Sequence, residues 1–495
     1  MLFKSTRSNE KATYTAAQVI KQGLADDGGL FVPESLPALS MQEILELCNE
    51  SYPIRAAKIL SKFLTDYTYE ELLADCSEVY AETSFVGGAA PMVNIHDNLE
   101  SLELWHGPTA AFKDMALQIM PRLLSRALVK TGEKRTALIL VATSGDTGKA
   151  ALEGYKDVDG IKIMVFYPVD GVSRVQKLQM ATQTGSNVNV CAIRGNFDDA
   201  QSGVKEIFGD PTMVDALNEK GHFFSSANSI NWGRLAPQIV YYVSAYCDLL
   251  NAGKCRAGDL FNVCVPTGNF GNIFAAYLAK KMGLPIDRLI CASNVNNILT
   301  DFLTTGTYNR NRSFHLTMSP SMDILISSNL ERLLYFTAGS EKTADYMNQL
   351  KTTGVYSVDS ETFAKIRDNF IGYYADEAET AKTIKETYEK YGYLSDTHTA
   401  VAISAANQYL KDTDDKKPMV IDSTASPYKF ANSVYLAITG KEAESDLAAL
   451  EQLSAKTNTQ IPYPLADIAS RKINFTETID KTEMAKAVLA YIEKQ

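Results

Sequence analysis

The chain has 495 residues, and at roughly 100–200 residues per domain it is expected to fold as two to four units. Hydrophobic residues make up 45% of the chain and charged residues 22%, the ordinary composition of a soluble globular protein. The 48 basic and 59 acidic side chains give a net charge of −11, which argues against a nucleic-acid partner, because such a partner requires a basic surface.

The first 92 residues are predicted to form a separate cap, domain 1–92. The run GLADDGGLFVPESLP carries the glycine and proline residues of a loop. The runs SMQEILELCNE and SYPIRAAKILSKFLTDY then place apolar residues at helical spacing. We therefore expect a turn-rich start followed by helices.

From about residue 100, short apolar runs alternate with helical patterns. Each run is short enough for a strand and leads into a helix; they are residues 136–142, 161–167, 187–193, 260–265, 288–293 and 418–423. Continuous apolar strands that alternate with helices are typical of a parallel sheet covered on both faces. The pattern predicts an α/β core, which we bound at residues 93–440.

Two further stretches are predicted to be mainly helical. Residues 340–392 are rich in Glu, Lys, Thr and Tyr, and we interpret them as an accessory helical excursion from the core. The tail, residues 441–495, has helical patterns at both ends and a proline-containing middle. No internal repeat or low-complexity tract is visible.

Cysteine usage and the start of the chain predict a compartment. The seven cysteines form no CxxC pair and the five histidines do not cluster around them, so no metal site is predicted. An odd number of unpaired cysteines is typical of a reducing compartment. The opening MLFKSTRSNEK has no apolar signal core, and no stretch approaches the ~20 apolar residues of a membrane span. We expect a cytoplasmic protein without a membrane partner.

Two glycine-rich segments each follow a strand and open a helix: TSGDTG (143–148) and PTGNFGN (266–272). Glycine lets the backbone approach a ligand, and the free N–H groups of a first helical turn attract anions. Neither segment matches GxGxxG or GxxxxGK[ST], so no dinucleotide or P-loop site is indicated. Two tight turns without a ligand are the alternative, but ligands of open α/β sheets do lie at such strand ends.

The run HGPTAAFKD (106–114) places one lysine, Lys113, after small and aromatic residues at a loop-to-helix junction. Burial against apolar side chains makes a lysine nucleophilic by favouring its neutral form. A solvated lysine that pairs with Asp114 is the alternative. A reactive lysine and a phosphate-binding loop are the minimal requirements of a pyridoxal phosphate site.

Four long motifs carry a family resemblance: LELWHGPTAAFKDMAL (102–117), ATSGDTGKAAL (142–152), ANSINWGRLAPQIVYY (227–242) and VPTGNFGNIFAAYLAKKMGLP (265–285). Together they resemble the threonine synthases, a family of tryptophan-synthase-β-like, fold type II pyridoxal-phosphate enzymes. GLADDGGLFVP (23–33) resembles the family's N-terminal segment. The resemblance implies two doubly wound, mostly parallel open-sheet domains. The smaller, about residues 113–235, is inserted in the larger and closes on the substrate.

The resemblance also implies roles for single residues. Lys113 would bond the cofactor aldehyde and act as the catalytic base. The other implied positions fall into three groups. The residues implied to bind the cofactor phosphate are Gly268, Asn269, Phe270, Gly271 and Asn272. The residues implied to bind the substrate carboxylate are Ser144, Gly145, Asp146 and Thr147. The residue implied to contact the pyridine nitrogen is Thr424. The fixed cations Lys149 and Arg234 are candidates to bind a substrate phosphate, with an ordinary surface or helix-end charge as the alternative for each.

Several assignments keep an open alternative. Asp422 competes with Thr424 as the partner of the ring nitrogen, and the resemblance favours the hydroxyl. Many family members read Ala-His-Pro where this chain has Ala425-Ser426-Pro427, so the contacts near Ser426 are expected to differ. His106 either lines the cofactor pocket or is a hydrogen-bonded loop histidine, and His398 either reaches the site or belongs to a capped helix start.

The function implied by the resemblance is that of a lyase that converts O-phospho-L-homoserine and water to L-threonine and phosphate, as a monomer or homodimer. A phospho-lyase that releases ammonia and 2-oxobutyrate, and an amino-acid dehydratase, are rival enzymes of the same fold. A binding protein that retains the cofactor without turnover is a rival of another class, but binding alone does not need a reactive lysine.

Overall fold

The computed structural model describes residues 1–143, 145–170 and 172–493. The N-terminal segment pairs two short antiparallel strands and adds four helices. Three of these helices begin with a capping box, at Thr15, Ser40 and Thr68. The elements of this segment are β1 (Phe3–Ser5), α1 (Ala16–Gln22), β2 (Phe31–Pro33), α2 (Met41–Leu47), α3 (Tyr52–Phe63) and α4 (Tyr69–Val79).

The next part of the chain alternates strands and helices. Its elements are β3 (Met92–His96), β4 (Leu99–Glu103), α5 (Asp114–Leu117), α6 (Met120–Lys130), β5 (Thr136–Ala142), α7 (Asp146–Tyr155), β6 (Ile161–Pro168), α8 (Arg174–Ala181), β7 (Val188–Arg194), α9 (Phe197–Gly209), α10 (Pro211–Glu219), β8 (His222–Ser225) and α11 (Trp232–Asn251).

The remainder completes the larger sheet and the tail. Its elements are β9 (Phe261–Pro266), α12 (Gly271–Met282), β10 (Ile286–Ser293), α13 (Ile298–Thr305), β11 (Thr307–Asn309), α14 (Leu330–Ala338), α15 (Ser340–Thr352), β12 (Val355–Ser357), α16 (Ser360–Arg367), β13 (Phe370–Tyr374), α17 (Glu377–Tyr391), α18 (Thr397–Thr413), β14 (Met419–Ser423), α19 (Ala431–Thr439), α20 (Asp446–Thr457), α21 (Tyr463–Ala466), β15 (Thr478–Asp480) and α22 (Met484–Glu493). Short 3-10 helices span Pro320–Met322, Pro427–Phe430 and Lys481–Glu483.

Two open sheets organise the core. The smaller has the order β15-β7-β6-β5-β8, and its strands pair in parallel. The larger has the order β13-β10-β9-β14-β4-β3 and is parallel except for its edge pair β3 and β4. The glycine-rich loops follow β5 and β9, so both lie at carboxyl ends of parallel strands, where open α/β sheets bind ligands. The predicted fold class is confirmed.

Helix α11 links the N-terminal segment to the core. Nearly all of its residues are buried. Its Trp232 packs edge-on against Phe3, with ring centroids 5.3 Å apart, and in a tilted arrangement against Phe63, with ring centroids 5.6 Å apart. Within the described residues, no helix combines the length and apolar character that a membrane crossing requires.

The six predicted strands are all present, with bounds shifted by at most two residues. The two stretches predicted to be mainly helical also contain strands that the sequence did not indicate. β13 lies within 340–392 and pairs with β10, and β15 of the tail pairs with β7 as an edge of the smaller sheet. β15 has only three residues, too few for a readable period, and β13 has five within a stretch of helical pattern, so their tertiary pairing defines both strands.

Candidate active site

The loop before Lys113 is fixed by the acid that follows it. The buried carboxylate of Asp114 accepts hydrogen bonds from the Thr109 backbone N–H at 2.8 Å and hydroxyl at 2.7 Å, and from Gln118 Nε2 at 3.0 Å. A Cβ at Gly107 would lie 2.6 Å from Asp114 Oδ2, so the close approach requires glycine. Burial raises the pKa of Asp114 to about 6. Asp114 therefore binds the loop and does not serve as a surface partner of Lys113.

Lys113 immediately precedes α5, and its side chain is only 10% exposed. Its Nζ lies 3.3 Å from Ser321 Oγ, 3.7 Å from Asp146 Oδ2 and 5.1 Å from the centre of the Phe112 ring. The loop-to-helix junction thus directs the amine toward residues that are distant in sequence. Lys113 and Asp146, two of the predicted site residues, are brought together.

The charge state of Lys113 is set by burial. Desolvation is the largest influence and lowers the pKa of the lysine from 10.5 to about 8; Asp146 opposes this shift, and the positive charges of Arg234 and Lys429 add to it. A larger fraction of neutral amine is therefore present near neutral pH than for a surface lysine. That fraction is what a nucleophile or a base needs.

Asp146, the first residue of α7, is paired with two lysines. Its Oδ1 lies 2.8 Å from the Nζ of the buried Lys429 and accepts a hydrogen bond from Gln176 Nε2 at 2.9 Å. Burial acts to raise the pKa of Asp146, but the charges of Lys429 and Lys113 outweigh it and hold that pKa below its usual range. Lys429 also donates to the Thr109 carbonyl at 3.0 Å, which ties it to the loop before Lys113.

The loop before α7 is closed by Thr143. The hydroxyl of Thr143 accepts hydrogen bonds from the backbone N–H groups of Gly145 and Gly148, each at 3.0 Å. Gly145 has φ +141°, and a Cβ there would lie 2.4 Å from the side chain of Gln176. Thr147 is partly exposed beside it. Ser144, predicted for the same loop, lies outside the described residues.

Residues of a segment that is distant in sequence contact the loop before α12 and hold it in place. The carbonyl of Asn269 accepts hydrogen bonds from the backbone N–H and the side chain of Asn329, each at 3.0 Å. Phe270 is left-handed, with φ +62°, and immediately precedes α12. A Cβ at Gly268 would lie 2.6 Å from the Ser321 carbonyl. The loop therefore presents backbone, not side chains, at the start of a helix, where an anion is favoured.

The remaining residues of that loop face different surroundings. A Cβ at Gly271 would lie 3.2 Å from Asn329 Nδ2, so glycine also fits this position best. Asn272 is turned into the protein, where its Oδ1 accepts a hydrogen bond from the Tyr241 hydroxyl and lies 2.6 Å from the Tyr242 hydroxyl, whose one proton is donated to Asp422. Its Nδ2 has no partner among the described residues.

The two candidates for the ring nitrogen have different environments. Asp422 is completely buried, and its Oδ2 accepts a hydrogen bond from Tyr242 at 2.6 Å; burial raises its pKa to about 7. Thr424, just beyond β14, keeps a small exposed area, and its carbonyl accepts a hydrogen bond from the Phe112 N–H at 2.8 Å. In the described part of the chain, the Thr424 hydroxyl has no hydrogen-bond partner. Asp422 Oδ1 also has no hydrogen-bond partner among the described residues, but it is completely buried, whereas Thr424 is 6% exposed.

Ser426 has a structural task. Its Oγ accepts a hydrogen bond from the Tyr428 backbone N–H at 3.3 Å and so caps the 3-10 helix Pro427–Phe430, which carries Lys429. The residue that departs from the family pattern therefore supports the turn that positions a lysine at Asp146.

The two cations predicted for a substrate phosphate differ in their pairing. Lys149 forms an ion pair with Glu153 at 2.8 Å and a hydrogen bond with Gln183, so its charge is already matched. Arg234, in the first turn of α11, is 7% exposed, and its Nη1 donates to the Ala227 carbonyl at 3.0 Å. Among the described residues no carboxylate lies within ion-pair distance of its guanidinium, and burial lowers its pKa to about 10. Of these two cations, Arg234 is therefore the one that is available to bind an anion.

The two histidines whose roles the sequence left open have different environments in the structure. His106 is held in its loop by Glu103 Oε2 and the Val86 carbonyl, each 2.8 Å from a ring nitrogen. His398, at the capped start of α18, accepts a hydrogen bond at Nε2 from the Ser321 N–H at 3.1 Å.

Ser321 and Lys429 were not identified from the sequence. Ser321 lies 208 residues from Lys113, and neither has a local motif that would mark it.

These groups fit one cofactor. A buried amine with a lowered pKa, a glycine-rich helix start and a free hydroxyl at a strand end meet at the carboxyl edges of parallel strands. A pyridoxal phosphate site needs three such parts: an amine to bond the aldehyde, a loop to bind the phosphate and a polar group to contact the ring. The fold and the site define the chain as a pyridoxal-phosphate-dependent enzyme of fold type II.

Comparison with known proteins narrows this class. A family model described as pyridoxal-phosphate dependent enzyme matches residues 102–422, and models described as threonine synthase N terminus and threonine synthase, C-terminal match residues 2–80 and 399–489. The chain is 39% identical over 447 residues to threonine synthase of Pseudomonas aeruginosa, covering 89% of this chain and 91% of that protein. It superposes on the crystal structure of pyridoxal-phosphate-bound threonine synthase from Brucella melitensis with a TM-score of 0.88 at 37% identity, covering 99% and 98% of the two chains.

The chain belongs to the threonine synthase family. The family also contains longer proteins. The human protein named threonine synthase-like 1 is 40% identical over 438 residues, covering 86% of this chain, which spans 58% of that protein's length.

Proposed function

We propose that this protein converts O-phospho-L-homoserine and water into L-threonine and phosphate, the last step of threonine biosynthesis, in the cytoplasm. The observation that carries the proposal is the buried Arg234 guanidinium, which has no carboxylate partner among the described residues and acts electrostatically on Lys113. A buried cation without a carboxylate partner, whose charge lowers the pKa of Lys113, favours binding of an anion, and a substrate phosphate supplies one.

The chain's own residues divide the work. When bound, pyridoxal phosphate supplies an electron sink that stabilises a carbanion at Cα of the substrate. Lys113 would hold the cofactor through its amine and, when that amine is free, would remove and return protons at Cα, Cβ and Cγ of the substrate. Backbone groups of residues 268–272 would bind the cofactor phosphate, and Thr424 would contact the ring nitrogen.

The substrate is held at two ends. Its carboxylate binds at the start of α7, through Gly145 and Thr147, where the first helical N–H groups favour an anion. Asp146 beside it is neutralised by Lys429 and so does not repel the carboxylate. Arg234 holds the phosphate until it leaves Cγ. Loss of protons from Cα and Cβ lets the phosphate leave Cγ with the electrons of the C–O bond. A proton is then added at Cγ, water gives its hydroxyl to Cβ, and a proton returns to Cα, which gives threonine and inorganic phosphate.

Product analysis of the holoenzyme tests this function. With phosphohomoserine as substrate we expect threonine and phosphate in equal amounts. Ammonia and 2-oxobutyrate would identify the phospho-lyase, and turnover of amino acids without a phosphate would identify the dehydratase. Either result, or no turnover, would contradict the proposal.

Variants of Arg234 test the observation behind it. Because a charge-assisted hydrogen bond contributes about 1.5–3 kcal/mol, Arg234→Gln should raise KM for phosphohomoserine by about 10- to 100-fold, and Arg234→Lys should raise it less. Arg122→Gln is the matched control, since Arg122 forms an exposed ion pair with Glu78 at 2.6 Å. A wild-type KM in Arg234→Gln would show that this residue does not bind the substrate phosphate.

A further inference from the structure

Ser321 brings a hydroxyl to Lys113 from a distant part of the chain. It lies in the 3-10 helix Pro320–Met322, and its Oγ is 3.3 Å from Lys113 Nζ. The carbonyl of the same residue abuts Gly268, where a Cβ would approach it to 2.6 Å. One residue therefore touches both the reactive amine and the glycine-rich loop before α12.

His398 holds Ser321 in place. Its Nε2 accepts the Ser321 N–H at 3.1 Å, so the ring proton must be on Nδ1, which lies 2.9 Å from Asp396 Oδ1. Both His398 and Asp396 are buried, and Asp396 also caps α18 by accepting the His398 backbone N–H at 2.8 Å. The chain Asp396–His398–Ser321 fixes a loop residue to the start of a long helix.

We propose that Ser321, anchored by His398 and Asp396, is a positioning residue that directs Lys113 Nζ toward the substrate once the amine is free. The proposal rests on the function proposed above, because it takes Lys113 to be the base. A lysine side chain has four rotatable bonds and is poorly confined by a charge alone. Without Ser321, the fixed polar partner that remains for Nζ among the described residues is Asp146 at 3.7 Å.

Steady-state kinetics give the first test. A misplacement of about 1 Å can cost about 100-fold in rate, so Ser321→Ala should lower kcat by about 10- to 100-fold while KM and cofactor content stay at wild-type values. Ser321→Thr keeps the hydroxyl and should recover much of kcat. Ser125→Ala is the control, because it makes the same change on α6, where the hydroxyl contacts the Asp159 carbonyl at 3.4 Å. An unchanged kcat in Ser321→Ala overturns the proposal.

Asp396→Asn tests the anchor. The amide keeps an oxygen that can cap α18, but it removes the negative charge that strengthens the hydrogen bond from His398 Nδ1–H and so favours that tautomer. We expect kcat to fall in the same direction as in Ser321→Ala, by a smaller factor. A wild-type kcat in Asp396→Asn overturns the part played by His398 and Asp396.

A second readout needs no turnover. In cofactor-free protein, reductive methylation by formaldehyde and cyanoborohydride, followed by peptide mass spectrometry, gives the pH at which Lys113 is half-reactive. Because an oxygen acceptor stabilises the ammonium form, Ser321→Ala should move this midpoint to lower pH, and Ser125→Ala should not. An unmoved midpoint overturns the contact itself. A moved midpoint in a protein that makes no threonine leaves the contact standing and refutes the proposed function, so the two failures are distinguishable.

Discussion

The surroundings of Lys113 are set by its neighbours in the chain and by four distant residues. These are Asp146, Arg234, Ser321 and Lys429. The sequence predicted a reactive lysine from its small and aromatic neighbours. The alternative, a surface pair with Asp114, is wrong: that carboxylate binds Thr109 and Gln118 instead. The contacts of Ser321 and Lys429 could not be predicted, because they depend on how segments more than 200 residues apart are brought together.

A buried lysine should cost stability in a pH-dependent way. The pKa of Lys113 is 10.5 when unperturbed and about 8 in the fold, so between these values the unfolded chain binds more protons than the folded one. The folded state is therefore penalised fully below pH 8, by at most about 3 kcal/mol, and the penalty disappears as the pH rises through 8 to 10.5.

Replacing this lysine tests that penalty. In cofactor-free protein, Lys113→Met should be more stable than wild type at pH 7. The difference should shrink toward pH 10, because Lys113 is then already neutral in the fold and the pH has come close to its unfolded pKa of 10.5, so little free energy is needed to remove the proton. Urea unfolding at both pH values measures the difference, and Lys472→Met, at an exposed position, is the control. A Lys113→Met protein that is less stable than wild type at pH 7 would contradict this reading of the burial.

At the scale of elements, the six strands and the two glycine-rich loops could be predicted because the residue pattern that indicates each of them is local in the sequence. A continuous apolar run gives a buried parallel strand, and glycine at its carboxyl end lets the following helix start close to a ligand. The edge strands β13 and β15 were missed because pairing with β10 and β7, not residue pattern, defines them. The assignment of residues 268–272 to the cofactor phosphate stays a prediction.

Gly268→Ala tests that assignment at the level of the loop. The new Cβ would lie 2.6 Å from the Ser321 carbonyl, which is backbone and cannot give way cheaply, so the loop must shift. We expect the affinity for pyridoxal phosphate to fall by at least about tenfold, since the phosphate contacts are made by backbone groups that must stay in register. Equilibrium titration of the visible cofactor absorbance measures it.

Gly209→Ala is the matched control, because Gly209 ends α9 and nothing lies within 4 Å of its added Cβ. It should leave cofactor affinity unchanged. If Gly268→Ala also binds pyridoxal phosphate as tightly as wild type, the loop before α12 does not seat the phosphate.

At the scale of the whole molecule, segments that are far apart in the sequence pack against each other, which the linear order of the predicted domains does not show. The N-terminal segment packs Phe3 and Phe63 on Trp232 of α11, and β15 of the tail joins the smaller sheet. The sequence predicted the cap, core and tail as successive units, and those boundaries stay a prediction, as does closure of the smaller sheet over the substrate. Local residue patterns cannot predict these long-range packing contacts, because the contacts depend on tertiary structure alone.

The central claim is that one buried amine, that of Lys113, carries the pyridoxal phosphate. Borohydride reduction of the holoenzyme, followed by proteolysis and peptide mass spectrometry, tests it directly by making the bond to the cofactor permanent. The account predicts the cofactor mass on the peptide that contains Lys113 and its absence from that peptide in Lys113→Ala. A label on any other lysine of the wild-type protein would contradict it.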